Sequence, residues 1–356
     1  MPPDSGPSGK QIAQRARLRY VQPSVAGYTR IRRGQGFTFV DAAGRPASAT
    51  TSERIMGLVL PPAWTDVWIC RDPRGHLQAT GRDARGRTQY RYHAAWTRTV
   101  NALKFARMTT FARSLPAMRR RLRRDLSRPG LPRERVLAAV VLLLEYSLIR
   151  VGNEEYAREN RSFGLTTIRK SHVVHAANGV ALNFRGKSGV RHEVMVGPRA
   201  LVVVIKACLK LSGRDLFQYR DATGAVRDVK AADVNAYLAE VGGEGCTAKD
   251  FRTWAATVLM HRELLSLPPA PSKAGLPKAA LARNVRAALS VVADALRNTI
   301  AVCRKAYVHP GVIDAYATGQ AGFAAPRGRP GGPAFGRISL SAPENRTLEL
   351  LERAMR

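Results

Sequence analysis

Apolar residues recur along this chain with two periods, and the change falls near residue 98. Between Tyr28 and Tyr92 they alternate with polar residues in short runs punctuated by Gly and Pro. GFTFVDAAGRPA reads as strand, turn, strand. DVWICRDPRGHLQATGRDARGRTQYRY repeats the theme around Pro-Arg-Gly and Ala-Arg-Gly turns, so a small β-rich domain is predicted. Beyond residue 98 the spacing turns helical. Segments 98–114 and 117–127 carry that spacing with many Arg. Segment 132–150 opens on Pro132 and runs through VLAAVVLLLEYSLIR, which predicts a buried helix ending at Arg150. Residues 163–197 revert to short strands: GLTTI, HVVHAA, VALNFRG and VRHEVMV. Turns at Asn178-Gly179 and Lys187-Ser188-Gly189 join the last three. Helices resume over 198–211, 231–241, 247–266, 277–297 and 299–307. Thr247, with Asp250 three residues on, is a capping-box pair that marks a helix start.

These patterns describe an α+β chain in five parts. A polar tail covers 1–20 and a β-rich domain 21–97. A larger, mainly helical domain with a small antiparallel sheet covers 98–317. TGQAGFAAPRGRPGGPAFG dominates a Gly/Pro-rich linker over 318–342, and a short amphipathic helix closes the chain over 343–356.

Composition adds a partner. Lys and Arg number 58 against 26 Asp and Glu, a net charge of +32, which points to a polyanion, nucleic acid first. A GC-rich genome would explain why 47 of the cations are Arg, but not the scarcity of acids. Cys70, Cys208, Cys246 and Cys303 are scattered, so neither a zinc site nor a disulfide framework is suggested, and a reducing, cytoplasmic setting is expected. No apolar run reaches the ~18 residues that cross a bilayer, and MPPDSGPSGK lacks a signal-peptide core.

Nucleic acid directs attention to phosphate chemistry. Phosphodiester transfer needs a nucleophile held in line, cations around the non-bridging oxygens and an acid for the departing oxygen. Tyr307 follows a predicted helix in AVCRKAYVHP, flanked by Arg304 and Lys305. Arg150 ends an apolar helix, Lys187 tops a hairpin in FRGKSG, and Arg252 sits one turn into the helix of KDFRTW. Each alone has a plainer reading. Tyr307 could be a core or interface residue, Arg150 a cation favoured by the helix dipole, Lys187 a solvated tip, and Arg252 a partner of Asp250 or another acid, or a cation stacked on an aromatic. His172 and His175 fall in a predicted strand without metal-ligand spacing. The Arg run of MRRRLRRDLSRPG, 118–130, is equally a DNA contact or a solvated helix face.

Taken in order, Arg150, Lys187, Arg252 and Tyr307 resemble the catalytic set of type IB DNA topoisomerases, especially the short poxvirus-like and bacterial ones. IRVGNEEYARENRSFGLTT, FRGKSG, KDFRTW and NTIAVCRKAY are similar to that family's motifs in sequence order. LPPAW and GRDARGRTQYRYH are similar to its DNA-clamp domain. The likeness spans about residues 28–317. It implies a tyrosine recombinase/topoisomerase IB-like catalytic domain and a C-shaped clamp that works as a monomer on double-stranded DNA. ATP and metal are not required. It further implies that Tyr307 forms a 3′-phosphotyrosyl link, that Arg150 and Arg252 hold the phosphate oxygens, and that Lys187 is the acid for the 5′-oxygen. Asn298 stands where poxvirus-like and nuclear members carry His, so that position donates a hydrogen bond but cannot titrate. Gln89, Tyr90 and Tyr92 match DNA contacts, with Arg82, Arg85, Arg87 and Arg91 neutralising backbone, and Tyr156 and Lys249 lie at further DNA-facing positions. A tyrosine recombinase or integrase is the nearest rival, although those enzymes usually show HxxR where this chain has Lys249-Asp250-Phe251-Arg252. A non-catalytic basic DNA-binding protein would explain the charge but not the ordered set.

Overall fold

A computed structural model describes residues 7–267, 277–319 and 337–354. The chain forms two compact units, residues 1–106 and 107–356.

The first unit contains α1 (Gly9–Arg15), β1 (Tyr28–Arg33), β2 (Gly36–Val40), α2 (Ala49–Met56), β3 (Thr65–Ile69), β4 (Leu77–Arg82), β5 (Thr88–Tyr92) and α3 (Ala94–Ala106). Its five strands form one antiparallel sheet in the order β2-β1-β3-β4-β5. Phe39, Val67, Ile69 and Ala79 on the sheet and Ile55 of α2 make the core. The alternation of apolar and polar residues predicts these strands because one face is buried and the other is not. Two helices go beyond that reading. The polar composition of 1–20 predicts a tail, yet α1 forms there: Ser8 and Gln11 cap each other, and Ala13 is buried. One capping box and one buried alanine outweigh the polar average. Likewise Ser48 accepts a hydrogen bond from Thr51 N–H and starts α2 inside the strand-rich region.

The second unit runs through α4 (Met108–Leu126), α5 (Arg133–Ser147), α6 (Glu154–Asn160), β6 (Val173–Ala176), β7 (Gly179–Arg185), β8 (Arg191–Val196), α7 (Arg199–Leu209), β9 (Gln218–Arg220), β10 (Val226–Asp228), α8 (Ala231–Gly242), α9 (Ala248–Leu265), α10 (Lys278–Leu296), α11 (Ile300–Ala306), α12 (Pro310–Ala317) and α13 (Ala342–Ala354). Helix α5 is buried from Val136 to Leu144 without a break, and α4, α7, α8 and α9 pack against it. Strands β6, β7 and β8 form an antiparallel sheet in that order, joined at the two predicted turns. GLTTI is not a strand. Leu165–Thr167 is a 3₁₀ turn, fixed by Leu165 N–H to Arg150 O and Thr166 N–H to Val151 O. His172 also lies in a 3₁₀ turn, just before β6. The helix break expected near Pro116 falls at Arg107 instead, and Pro116 is accommodated inside α4.

The Arg run on α4 is divided: Arg120, Arg123 and Arg124 stay exposed, while others are spent on internal ion pairs. Arg119 is buried between Glu145 and Glu344, at 2.6 and 2.7 Å. Arg121 and Arg128 both reach the fully buried Asp125, at 2.8 and 3.1 Å. Much of the positive charge on this helix is therefore spent inside the fold. Of the linker and C-terminal helix expected over 318–356, residues 320–336 lie outside the described residues, while α13 packs on α4, α9 and α12.

Candidate active site

Four segments of the second unit meet at one cavity of about 420 Å³, lined among others by Arg150, Lys187, Lys249, Arg252 and Tyr307. Each is placed by a local device. Helix α5 ends at Ser147, where Leu148 turns left-handed at φ 55°, so Arg150 lies three residues past the helix and not at its end. The helix-dipole reading of Arg150 is thereby removed. Its loop is clamped by glycines: a Cβ on Gly164 would stand 2.5 Å from Arg150 O and 2.6 Å from Gly152 N. Lys187 occupies the short 3₁₀ turn Lys187–Gly189 between β7 and β8 and is exposed.

Helix α9 starts where the capping box predicts. The Asp250 carboxylate accepts from the Thr247 N–H and hydroxyl, both at 2.8 Å. One turn in, Arg252 is only 3 % exposed. It does not pair with Asp250; its Nη2 donates to Leu296 O at 2.9 Å, just before the loop that carries Asn298. Arg150 Nη2 donates to Asn298 Oδ1 at 2.5 Å, so the two arginines and the asparagine form one cluster. Two buried donors in it, Arg252 Nε and Asn298 Nδ2, have no partner among the described residues.

Tyr307 is the residue after α11, with its ring centroid 5.3 Å from the Arg252 guanidinium carbon. Its backbone is tied to the helix that carries Arg252. The buried hydroxyl of Thr257 accepts from His309 N–H at 3.1 Å and shares its one proton between Thr253 O at 2.9 Å, in its own helix, and Tyr307 O at 3.2 Å. Burial of the phenol opposes its ionisation. The positive charges of Arg252, Arg150 and Lys249 outweigh that penalty and hold Tyr307 below the usual tyrosine pKa. Burial also draws down the pKa of Arg252, but a guanidinium stays charged.

The remaining candidates fall in three places. Lys249, in the first turn of α9, lines the same cavity. Tyr156 lies on α6, and its side chain is outside the described residues. Gln89, Tyr90, Tyr92, Arg82 and Arg87 belong to the first unit. Tyr90 and Tyr92 are 53 and 42 % exposed on edge strand β5, ring planes 14° apart, as strand alternation requires. Gln89 donates to Asp83 and Arg87 pairs with it, while Arg82 pairs with Asp66 at 3.3 Å. Arg85 and Arg91 are exposed.

Two contributors escaped the sequence reading. Thr257 gives no signal beyond a polar residue on a buried helix face. His192 does leave a trace, since strand register pairs it with Phe184 beside the Lys187 turn.

Comparison with known proteins agrees with this geometry. Residues 94–322 match the family described as eukaryotic DNA topoisomerase I, catalytic core, and residues 36–83 match the bacterial DNA topoisomerase IB N-terminal domain. DNA topoisomerase 1B of Acanthamoeba polyphaga mimivirus is 36 % identical over 270 residues, 74 % of this chain and 79 % of the relative. DNA topoisomerase 1B of vaccinia virus (strain Copenhagen) is 26 % identical over 151 residues, 40 % of this chain and 47 % of the relative. DNA topoisomerase 1 of Schizosaccharomyces pombe is 30 % identical over 156 residues, 42 % of this chain and 18 % of the relative. These matches favour a topoisomerase over a recombinase. A half-buried cluster of Arg150, Arg252 and Asn298 beside Tyr307, on a chain matched by both family models, places this protein in the type IB DNA topoisomerase family.

Proposed function

We propose that this chain relaxes supercoiled duplex DNA by transient nicking, with Tyr307 as the nucleophile. The observation that carries the reading is the phenol held beside Arg252, on a backbone fastened to the same helix, within a cluster that retains two unpaired buried donors.

The step balances without fuel. The Tyr307 oxygen bonds to phosphorus as its proton leaves, the bond from phosphorus to the 5′-oxygen breaks, and Lys187 donates the proton that turns that oxygen into a hydroxyl. Resealing reverses each change, so bond energy is nearly conserved and no nucleotide is consumed. Arg150, Arg252 and the Asn298 amide hold the non-bridging oxygens, where negative charge gathers in the transition state. A guanidinium forks onto two oxygens but does not release its proton, which suits the clamp, while an ammonium on a flexible stem suits the acid. Between the two transesterifications, supercoil torque turns the free 5′ end.

In this reading the two units close as a C-shaped clamp around one duplex, as a monomer. Tyr90, Tyr92 and Gln89 contact DNA in the first unit, and Lys249 and Tyr156 in the second. Net charge of +32 supports such a grip.

Incubation with supercoiled plasmid, without ATP or magnesium, tests the proposal. Relaxed circles are expected, and denaturant should trap protein on the 3′ end of a nick. No relaxation, or relaxation that survives Tyr307→Phe, would overturn it. A requirement for paired specific sites would point to a recombinase.

A further inference from the structure

His192 has no role in the scheme above, yet it lies where the scheme is most demanding. It is the second residue of β8, just past the Lys187 turn, is 8 % exposed, and lines the cavity that holds Tyr307. Its ring stacks on Phe184, centroids 4.9 Å apart and planes 4° apart. Burial, together with the charges of Arg297, Arg150 and Arg252, lowers its pKa to about 4, so the ring is neutral near pH 7.

The other face of the contact is Gly186, which immediately precedes Lys187. Its backbone, at φ −91° and ψ −166°, is open to any L-residue, so conformation does not require glycine here. Space does. A Cβ on Gly186 would stand 2.5 Å from His192 Nε2 and 2.6 Å from Cδ2. Glycine and imidazole are thus matched: the chain turns into Lys187 while resting on the ring. Apart from that contact, the turn is closed by Gly186 N–H to Val190 O at 2.8 Å and Gly189 N–H to Gly186 O at 3.1 Å.

We propose that His192 is a positioning residue for Lys187: its ring is the seat of Gly186, and that seat fixes where the lysine stem leaves the backbone and therefore where the ammonium meets the 5′-oxygen. The inference rests on the reading of Lys187 as the general acid. A long, exposed side chain delivers a proton efficiently only from a fixed origin, and a misplacement of about 1 Å is worth up to about 100-fold in rate.

A substrate that needs no acid separates positioning from mere structural support. Single-turnover cleavage is measured on one duplex with the ordinary 5′-oxygen and on the same duplex with sulfur at the bridging 5′ position. With sulfur, the bond from phosphorus to sulfur breaks and a thiolate departs unprotonated. On oxygen, Lys187→Ala is expected to lose about 10²- to 10⁴-fold, and His192→Ala and Gly186→Ala about 10- to 100-fold each. On sulfur all three should return to within several-fold of the unaltered protein, which also shows that they are folded. The double variant Gly186→Ala with His192→Ala should be no slower than His192→Ala alone, because removing the ring makes room for the new methyl. If Lys187→Ala recovers on sulfur but the His192 and Gly186 variants do not, the ring supports something other than the acid and the inference falls. It falls equally if His192→Ala cleaves the oxygen substrate at full rate. If Lys187→Ala itself fails to recover, the acid assignment is wrong, a distinct result that removes the premise.

Discussion

The edge strand of the first unit and the cavity of the second both gather tyrosine and arginine, and they do so in opposite ways. On β5, Tyr90 and Tyr92 stand half in solvent, and their neighbours Arg82 and Arg87 are already paired with Asp66 and Asp83. In the cavity, Arg252 is almost wholly buried, donates to Leu296 O and hydrogen-bonds to Tyr307, and its Nε has no partner among the described residues. Solvent screens the first set, so each contact there is worth little and can be lost singly. The second set is desolvated and pre-aimed, so each charge is strong and each loss is felt. In the proposed scheme, grip and chemistry have different dielectric surroundings.

That contrast can be broken from either side. Tyr307→Phe should abolish the covalent adduct and reduce relaxation by at least about 10⁴-fold, with DNA affinity intact by filter binding. Arg252→Ala should slow single-turnover cleavage about 10²- to 10³-fold. It should also move the pH profile. A phenol whose pKa is lowered becomes reactive as pH rises through that lowered value, so removing the main lowering charge shifts the rise of the cleavage rate to higher pH. On the edge strand, Tyr90→Ala combined with Tyr92→Ala should weaken binding about tenfold, with unchanged cleavage at saturating DNA. A cleavage defect of the size seen for Arg252→Ala would erase the distinction between the regions. Thr257→Val should have the smallest effect. It removes the hydroxyl that accepts from His309 N–H and shares its proton between Thr253 O and Tyr307 O, costing about 1–3 kcal/mol in a denaturant titration and slowing cleavage only several-fold.

The elements whose signal is local were legible in the sequence. The β6–β7–β8 sheet follows from alternation and two glycine turns, α9 from its capping box, and α5 from an unbroken apolar run. The four residues Arg150, Lys187, Arg252 and Tyr307 were legible as an ordered set. What sequence hid is what depends on partners far along the chain. Helix α1 needs a burial site for Ala13, the Arg119 network joins α4 to Glu344 on α13, and the seat of Gly186 on His192 needs the hairpin closed. Composition read residues 1–20 as a tail and could not tell Arg119 and Arg121, which pair inside the fold, from the exposed Arg120 and Arg123, because an average over residue types carries no information about which of them meet.

The hydroxyl of Thr257 has a mechanical meaning as well. While the nick is open, the proposed phosphotyrosyl bond is the covalent attachment of the cleaved strand's 3′ end to the protein, and a pull along that strand is borne at Tyr307. That residue sits at the C-terminal end of a seven-residue helix, a short anchor by itself. Thr257 routes the load into α9, an eighteen-residue beam. The beam is braced in turn by α13, through Trp254 to Glu344 at 3.2 Å and His261 with Thr347 at 2.9 Å. The C-terminal helix, far from the cavity in sequence and past the end of the family match at residue 322, thus becomes the footing of the tether.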